Sequence, residues 1–272
     1  MKFVLTATPS EARFAPIQFR GQPSETFALA AEFAYDGVEL HLRNPGDIDR
    51  SSVQELSTKY NLPVTTLGTG MAARMDGLTF SDPDPEIRRL AVELIKTYID
   101  LAADFNAAVI IGSFSGRLGD DPNQRLLLRE LALTCLAECC RTASDMGVTM
   151  LLEPLNRYEG DYLNTVEDVL VLIDELGVSN LKILADTFHM NIEEADIAAS
   201  FRQAGKNTGH VHLADSNRRA PGHGHLDIKS ILKVLRSINY QGYVSFEILP
   251  LPNPRQAIED AIRSVRILLT EL

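Results

Sequence analysis

Basic residues are in short supply. Lys and Arg total 26 against 37 Asp and Glu, a formal net charge of −11. A surface of that sign argues against a nucleic-acid backbone or an anionic membrane as the main partner. Cysteine is scarce too. Cys135, Cys139 and Cys140 lie in one stretch, form no C-x-x-C pair and have no metal-ligand spacing. Disulfide scaffolds use cysteine widely and in even numbers, so these three read as reduced, mostly buried thiols of a cytoplasmic protein. No apolar run approaches the roughly 18 residues of a membrane span. The opening MKFVLTATPS has too few apolar residues before Pro9 for a signal peptide and reads as a strand. Neither G-x-G-x-x-G nor G-x-x-x-x-G-K-S/T follows a strand-like run, so nucleotide binding has no motif.

The chain has 272 residues, 45% hydrophobic and 23% charged, with 17 Gly and 13 Pro. That composition belongs to a soluble globular protein with room for one large α/β core. Strand-like runs at 2–6, 37–40, 63–67, 107–111, 148–152, 181–185, 209–213 and 242–246 alternate with stretches of helical period. The helical stretches are 24–34, 51–60, 86–105, 123–146, 165–176, 192–204, 227–238 and 255–269, and 68–85 reads as a long loop. Eight such units without a linker predict a single (β/α)8 TIM barrel over 1–272. An open doubly wound sheet is the alternative.

A parallel barrel carries its chemistry at the C-terminal ends of its strands. Four consecutive strands each deliver one metal-competent side chain there: Glu153 in LLEPLNRYEG, Asp186 in LADTFHM, His212 in GHVHLAD and Glu247 in SFEILP. Three converging carboxylates would repel one another without a cation. Their oxygens favour Mn²⁺ or Mg²⁺, and the imidazole admits Co²⁺, Fe²⁺ or Zn²⁺. Asn156, Arg157, Glu159, His189, Arg218 and Arg219 follow the same strands and suit a hydroxyl-rich ligand. Arg157 and Arg219 fit a surface ion pair equally well. His210 shares a strand face with His212 one layer deeper. His223 and His225 lie in a Gly/Pro loop and read as loop-shaping residues.

The segments EPLNRYE, ADTFHMNIEE, HVHLADSNRRAPGHGHLD and SFE resemble the metal-dependent ketose 3-epimerases of the D-tagatose/D-allulose 3-epimerase group, part of the xylose-isomerase-like barrel superfamily. The likeness is strongest over 150–250, and LGTGMA after the third strand is similar to a Gly-rich turn of the family. It implies that Glu153, Asp186, His212 and Glu247 ligate a divalent cation, Mn²⁺ first and Co²⁺ or Mg²⁺ next. It implies that Glu153 and Glu247 are also the two catalytic carboxylates. Glu159, His189 and Arg218 would hold the O1–O3 end of a sugar. The loops TATPSEARFAPIQF and GSFSGRLGDDP depart from the family, and the chain has no Trp for an aromatic wall. His41 and Arg117 are therefore the candidates for the variable tail, and the identity of the ketose stays open.

The implied reaction removes the C3 proton of a 2-ketose on one face and returns it on the other, which two facing carboxylates can do and one cannot easily do. Aldose–ketose or hydroxypyruvate isomerases and an inosose dehydratase-like lyase would use the same metal site. A zinc endonuclease acting at abasic DNA would need more than six His and a basic face. A sugar-binding barrel without activity would not need both Glu153 and Glu247. The three prolines of ILPLPNP offer no N–H to a phosphate, which favours a free sugar, although Ser115 and Arg117 could take one. A homo-oligomer, dimer or tetramer, is expected.

Overall fold

The computed structural model describes residues 1–10 and 16–272, so 11–15 of the first loop lie outside the described residues. Its strands are β1 (Lys2–Thr8), β2 (Phe19–Arg20), β3 (Gly37–His41), β4 (Val64–Gly68), β5 (Ala108–Ile111), β6 (Met150–Leu152), β7 (Leu181–Asp186), β8 (Thr208–His212) and β9 (Tyr243–Ser245). All pairings are parallel, and β9 pairs back onto β1 from Lys2↔Tyr243 to Val4↔Ser245. That pairing closes an eight-stranded barrel and removes the open-sheet alternative. The two-residue β2 is an addition beside the end of β1.

The helices are α1 (Pro23–Glu32), α2 (Arg50–Tyr60), α3 (Gly70–Asp76), α4 (Pro85–Phe105), α5 (Pro122–Asp145), α6 (Val166–Leu176), α7 (Thr187–Glu193), α8 (Ile197–Ala204), α9 (Ile228–Ser237) and α10 (Pro254–Thr270). Three start on the same device: Asp84, Asp121 and Asn253 each accept a backbone N–H of the first turn, and proline follows. Proline fits there because its missing N–H would have had no partner anyway. Two departures from the sequence reading bear on the site. The loop expected at 68–85 contains α3. The single helix expected at 192–204 is two, α7 beginning directly on β7 and α8 starting at its own cap, Asp196. Among the described residues no helix is long and apolar enough to cross a membrane.

Strand alternation sorts the side chains into two environments. Leu5, Val38, Leu40, Leu67, Val109, Ile183 and Val211 belong to the main apolar core. Inside the barrel, Ile110, Leu151 and Leu184 form a small separate apolar cluster. Much of the rest of that interior is polar: register sets Thr6 beside Glu39 and Glu39 beside Thr66, all buried. Phe246 shows how the core aims the site. Its ring is fully buried, stacked on Phe3 at 5.9 Å and edge-on to Tyr35 at 6.0 Å. With Phe246 anchored in the apolar core, its neighbours Ser245 and Glu247 face the interior.

Candidate metal centre

The four strand-end residues meet at one rim. One ligating atom each from Glu153, Asp186, His212 and Glu247 lies within 4.8 Å of the others. His212 Nδ1 is 3.7 Å from Glu153 Oε1, 3.9 Å from Asp186 Oδ2 and 3.8 Å from Glu247 Oε2. These separations are too long for hydrogen bonds. They match the roughly 3–4.5 Å between donors that each sit about 2.0–2.3 Å from one ion. Glu153 Oε1 and His212 Nδ1 are also buried without any hydrogen-bond partner. Two orphaned buried polar atoms aimed at the same point are costly unless something fills it. The donor set therefore fits a divalent cation.

Local structure fixes each donor. Asp186 works twice: its Oδ1 accepts the Phe188 N–H at 2.8 Å to start α7, which leaves Oδ2 for the site. Glu153 needs the glycine after β5, because a Cβ on Gly112 would stand 2.7 Å from Glu153 Oε2. Gly112→Ala should therefore displace the carboxylate while sparing the fold, since only the tip of a side chain has to move. The expected result is metal binding about tenfold weaker or more with a nearly unchanged melting temperature in metal-free protein, read by calorimetry.

Beneath the rim lies a residue that motif reading missed. Glu39 is fully buried and receives His41 Nε2 at 2.9 Å, His210 Nε2 at 2.9 Å and His212 Nε2 at 3.1 Å. The Thr66 hydroxyl donates to it at 2.6 Å and Ser245 Oγ at 2.9 Å. The signal was present: GVELH places a carboxylate inside an apolar strand, two residues from a histidine on the same face. His210 is buried against Glu39 and Ser245, one layer below His212, as its spacing predicted.

Above the rim a cavity of about 550 Å³ opens, lined by Glu153, Glu247, Glu159, His189, Arg218 and His41 among others. His189 Nδ1 faces the Asn156 side-chain amide at 2.6 Å and the Asn156 backbone N–H at 3.3 Å. Accepting there leaves the Nε2–H to face Asp186 and Glu153 at 3.7 and 3.8 Å. Arg218 reaches Glu247 and Asp186 with Nη2, and its guanidinium lies 4.5 Å over the Phe188 ring. Its backbone is left-handed, with φ at 57°. That conformation costs an ordinary residue about 1–3 kcal/mol. The loop holds it through Arg218 N–H to Asp215 O at 2.8 Å and Leu249 N–H to Arg218 O at 2.7 Å. Asp215 organises the same loop by accepting from Ser216, Gly222 and Leu226. His225 bonds Ser216 of its own loop and His223 approaches Asp260 on α10, so neither turns to the metal donors.

Other candidates fall elsewhere. Arg117 does not line the main cavity. It lines a neighbouring one of about 380 Å³, and its guanidinium donates to the Tyr158 carbonyl at 3.0 Å. Arg74, on the unexpected helix α3, lines both cavities and pairs with Glu159 and Ser113. Arg157 forms an exposed ion pair with Glu193 at 2.9 Å.

Electrostatics divide the two glutamates. Burial, reinforced by the charges of Glu247 and Asp186, pushes the Glu153 carboxyl well above its usual range. Burial acts on Glu247 as well, but the charges of Arg218 and His212 overcome it and hold that carboxyl down to about 2. His212 is raised to about 10: burial opposes this, and the charges of Glu39, Glu247 and Glu153 outweigh it.

The model of the xylose isomerase-like TIM barrel family matches residues 27–268. The chain is 31% identical over 253 residues to 3-dehydro-D-guloside 4-epimerase of Escherichia coli K12, covering 89% of this chain and 93% of that protein. It is 47% identical over 119 residues to D-psicose 3-epimerase of Enterocloster bolteae, a match spanning 44% of this chain and 40% of that protein. The solved structure of D-allulose 3-epimerase from Methylomonas sp. with D-allulose superposes at a TM-score of 0.79 and 25% identity, over 98% of this chain and 99% of that one. The chain belongs to the xylose isomerase-like TIM barrel family. Within it, the protein is an isomerase of the carbohydrate epimerase type, akin to the ketose 3-epimerases.

Proposed function

We propose that the protein epimerises a free 2-ketose at C3 with a divalent cation, Mn²⁺ first and Co²⁺ or Mg²⁺ next, held by Glu153, Asp186, His212 and Glu247. The observation that carries this reading is that Glu153 and Glu247, just past the ends of β6 and β9, come from strands three places apart in the barrel and yet have ligating oxygens within 4.8 Å. When bound, the cation polarises the substrate ketone and makes the adjacent proton acidic. Glu153 and Glu247 take that proton on one face and return it on the other, in an order set by the epimer that enters. The His189 Nε2–H and the Arg218 guanidinium donate to oxygens at the C1–C2 end and offset charge as the enediolate forms. Glu159 fixes Arg218 from the cavity side, with Oε1 3.7 Å from Nη1. His41 and Arg117 would meet the sugar tail, Arg117 only for a substrate reaching the second cavity.

The test is a panel of free ketoses, ketose phosphates and 3-keto glycosides with added Mn²⁺, read by chromatography. Interconversion of C3 epimers of a free ketose is expected, and turnover of phosphorylated substrates alone would overturn the free-sugar reading. A second reading has its own support. The 4-epimerase relative matches over 93% of its length, and the second cavity has room for a glycosidic substituent. Epimerisation at C4 of a 3-keto sugar also moves a proton next to a ketone, so the same two carboxylates serve. A cytoplasmic homo-oligomer remains part of the proposal, with exposed Leu126 and Leu127 on α5 as apolar surface for an interface to cover. Light scattering tests it.

Metal binding should be pH-dependent. In metal-free protein His212 is raised to about 10 and so holds its proton at pH 7, Glu153 is shifted in the same direction, and a cation needs the lone pairs of both. Binding should release about one proton or more at pH 7, so affinity falls as pH falls. Calorimetric titration of Mn²⁺ in buffers of different ionisation heat measures the number, and zero release would contradict these protonation states.

A further inference from the structure

We infer that Glu39 is a positioning residue that holds the protons of His41 and His212 on Nε2, so that both rings present Nδ1 lone pairs upward, His212 to the cation and His41 to a substrate hydroxyl. An ionised carboxylate has no proton to give, so each partner must donate. Glu39 accepts the Nε2–H of His41 on Oε1 at 2.9 Å and that of His212 on Oε2 at 3.3 Å, with His212 Nε2 also 3.1 Å from Oε1, while His210, Thr66 and Ser245 surround Oε2. At these lengths the contacts are hydrogen bonds, so the Glu39–His41–His212 group is not a second cation site.

The consequences differ for the two rings. His212 Nδ1 is the orphaned atom at the rim, and an Nε2–H anchored on a carboxylate fixes the ring that ligates through the other nitrogen. His41 is not among the four rim donors. Its Nδ1 side lines the cavity, 4.0 Å from Glu247 Oε1, which places an acceptor where a sugar hydroxyl can donate. His41 lies there because Gly68, its register partner on β4, has no side chain: a Cβ on Gly68 would stand 2.4 Å from His41 Nδ1. One carboxylate therefore sets both a ligand and a substrate contact, and one glycine makes room for the second alone.

The cation half of this inference rests on the metal site proposed above, whereas the proton positions do not. Long-range ¹H–¹⁵N spectra should show protons on Nε2 of His41, His210 and His212 in metal-free protein and, if Zn²⁺ binds, in the Zn²⁺-loaded form. In the loaded form Nδ1 of His212 should carry none. Glu39→Gln replaces one acceptor oxygen by a donor, so at least one ring must move its proton or lose its partner. Mn²⁺ binding by calorimetry should weaken about 10- to 100-fold. Gly68→Ala should displace His41, raise KM, and leave Mn²⁺ affinity within about twofold of wild type. Protons on Nδ1 of wild-type His41, or wild-type Mn²⁺ affinity in a folded Glu39→Gln variant, would overturn the inference. If Glu39→Gln does not fold, the wild-type spectra decide alone. If wild-type protein binds no divalent cation, the metal site falls, while the Nε2 protons still decide the role of Glu39.

Discussion

Changing Glu247 to Gln should lower kcat by about 10²-fold or more, and so should changing Glu153 to Gln, with different effects on the metal-free fold. Either substitution keeps the side-chain shape and removes the group proposed to take the proton. Glu247 carries the charge that Arg218 faces, and Asp186 Oδ2, at 3.4 Å, would be left as the guanidinium's nearer partner. Removing one side of a buried charged pair strands the other, so Glu247→Gln should also destabilise the metal-free protein, by about 1–3 kcal/mol. Glu153 is the opposite case. Its raised carboxyl is crowded by Glu247 and Asp186, and its Oε1 has no partner. A neutral amide relieves that repulsion, so Glu153→Gln should leave the metal-free melting temperature unchanged or higher while abolishing most turnover. Parallel losses of activity with opposite effects on stability are what two catalytic carboxylates in unequal environments predict. A purely structural role for Glu153 would link lost activity to lost stability.

Exhaustive chelation should abolish turnover, and Mn²⁺ or Co²⁺ should restore it. The same treatment should lower the melting temperature relative to metal-loaded protein, because the donor set exists only in the folded barrel. A cation present at a hundredfold over its Kd stabilises by about 2.7 kcal/mol, several degrees for a chain of this size. The physical source is the rim itself: three carboxylates crowd one imidazole, and Glu153 Oε1 and His212 Nδ1 are buried without partners. Full activity in protein shown to be free of metal would remove the cation from the account.

The barrel and its rim were legible because both rest on local periodicity. Alternation of short β-rich runs with helical stretches marks the units, and a parallel barrel brings the residue after each strand to one end. That rule located Glu153, Asp186, His212 and Glu247 without knowledge of any contact. Glu39 was not legible in the same way. Its partners run from Thr6 to Ser245, and only barrel closure brings them together. Helix α3 was hidden because GMAARMD is one short stretch that begins on glycine with no side-chain cap, so it carries no start signal. The division of the helical region after β7 had a signal, Asp196 as a cap, which the apolar spacing obscured. Arg117 lies in a loop at the expected end of the barrel. Sequence offset alone does not distinguish two adjoining cavities, and its side chain lines the outer one.

The central claim is that Glu153 and Glu247 move one proton at C3 of a ketose, and turnover in D₂O tests it most directly. Both epimers recovered from a Mn²⁺-loaded reaction should carry deuterium at C3, with C1, C2 and C4 unlabelled by NMR and mass spectrometry. Label confined to C4 of a 3-keto sugar, or to C1 or C2 as an aldose–ketose isomerase would leave it, would contradict the claim.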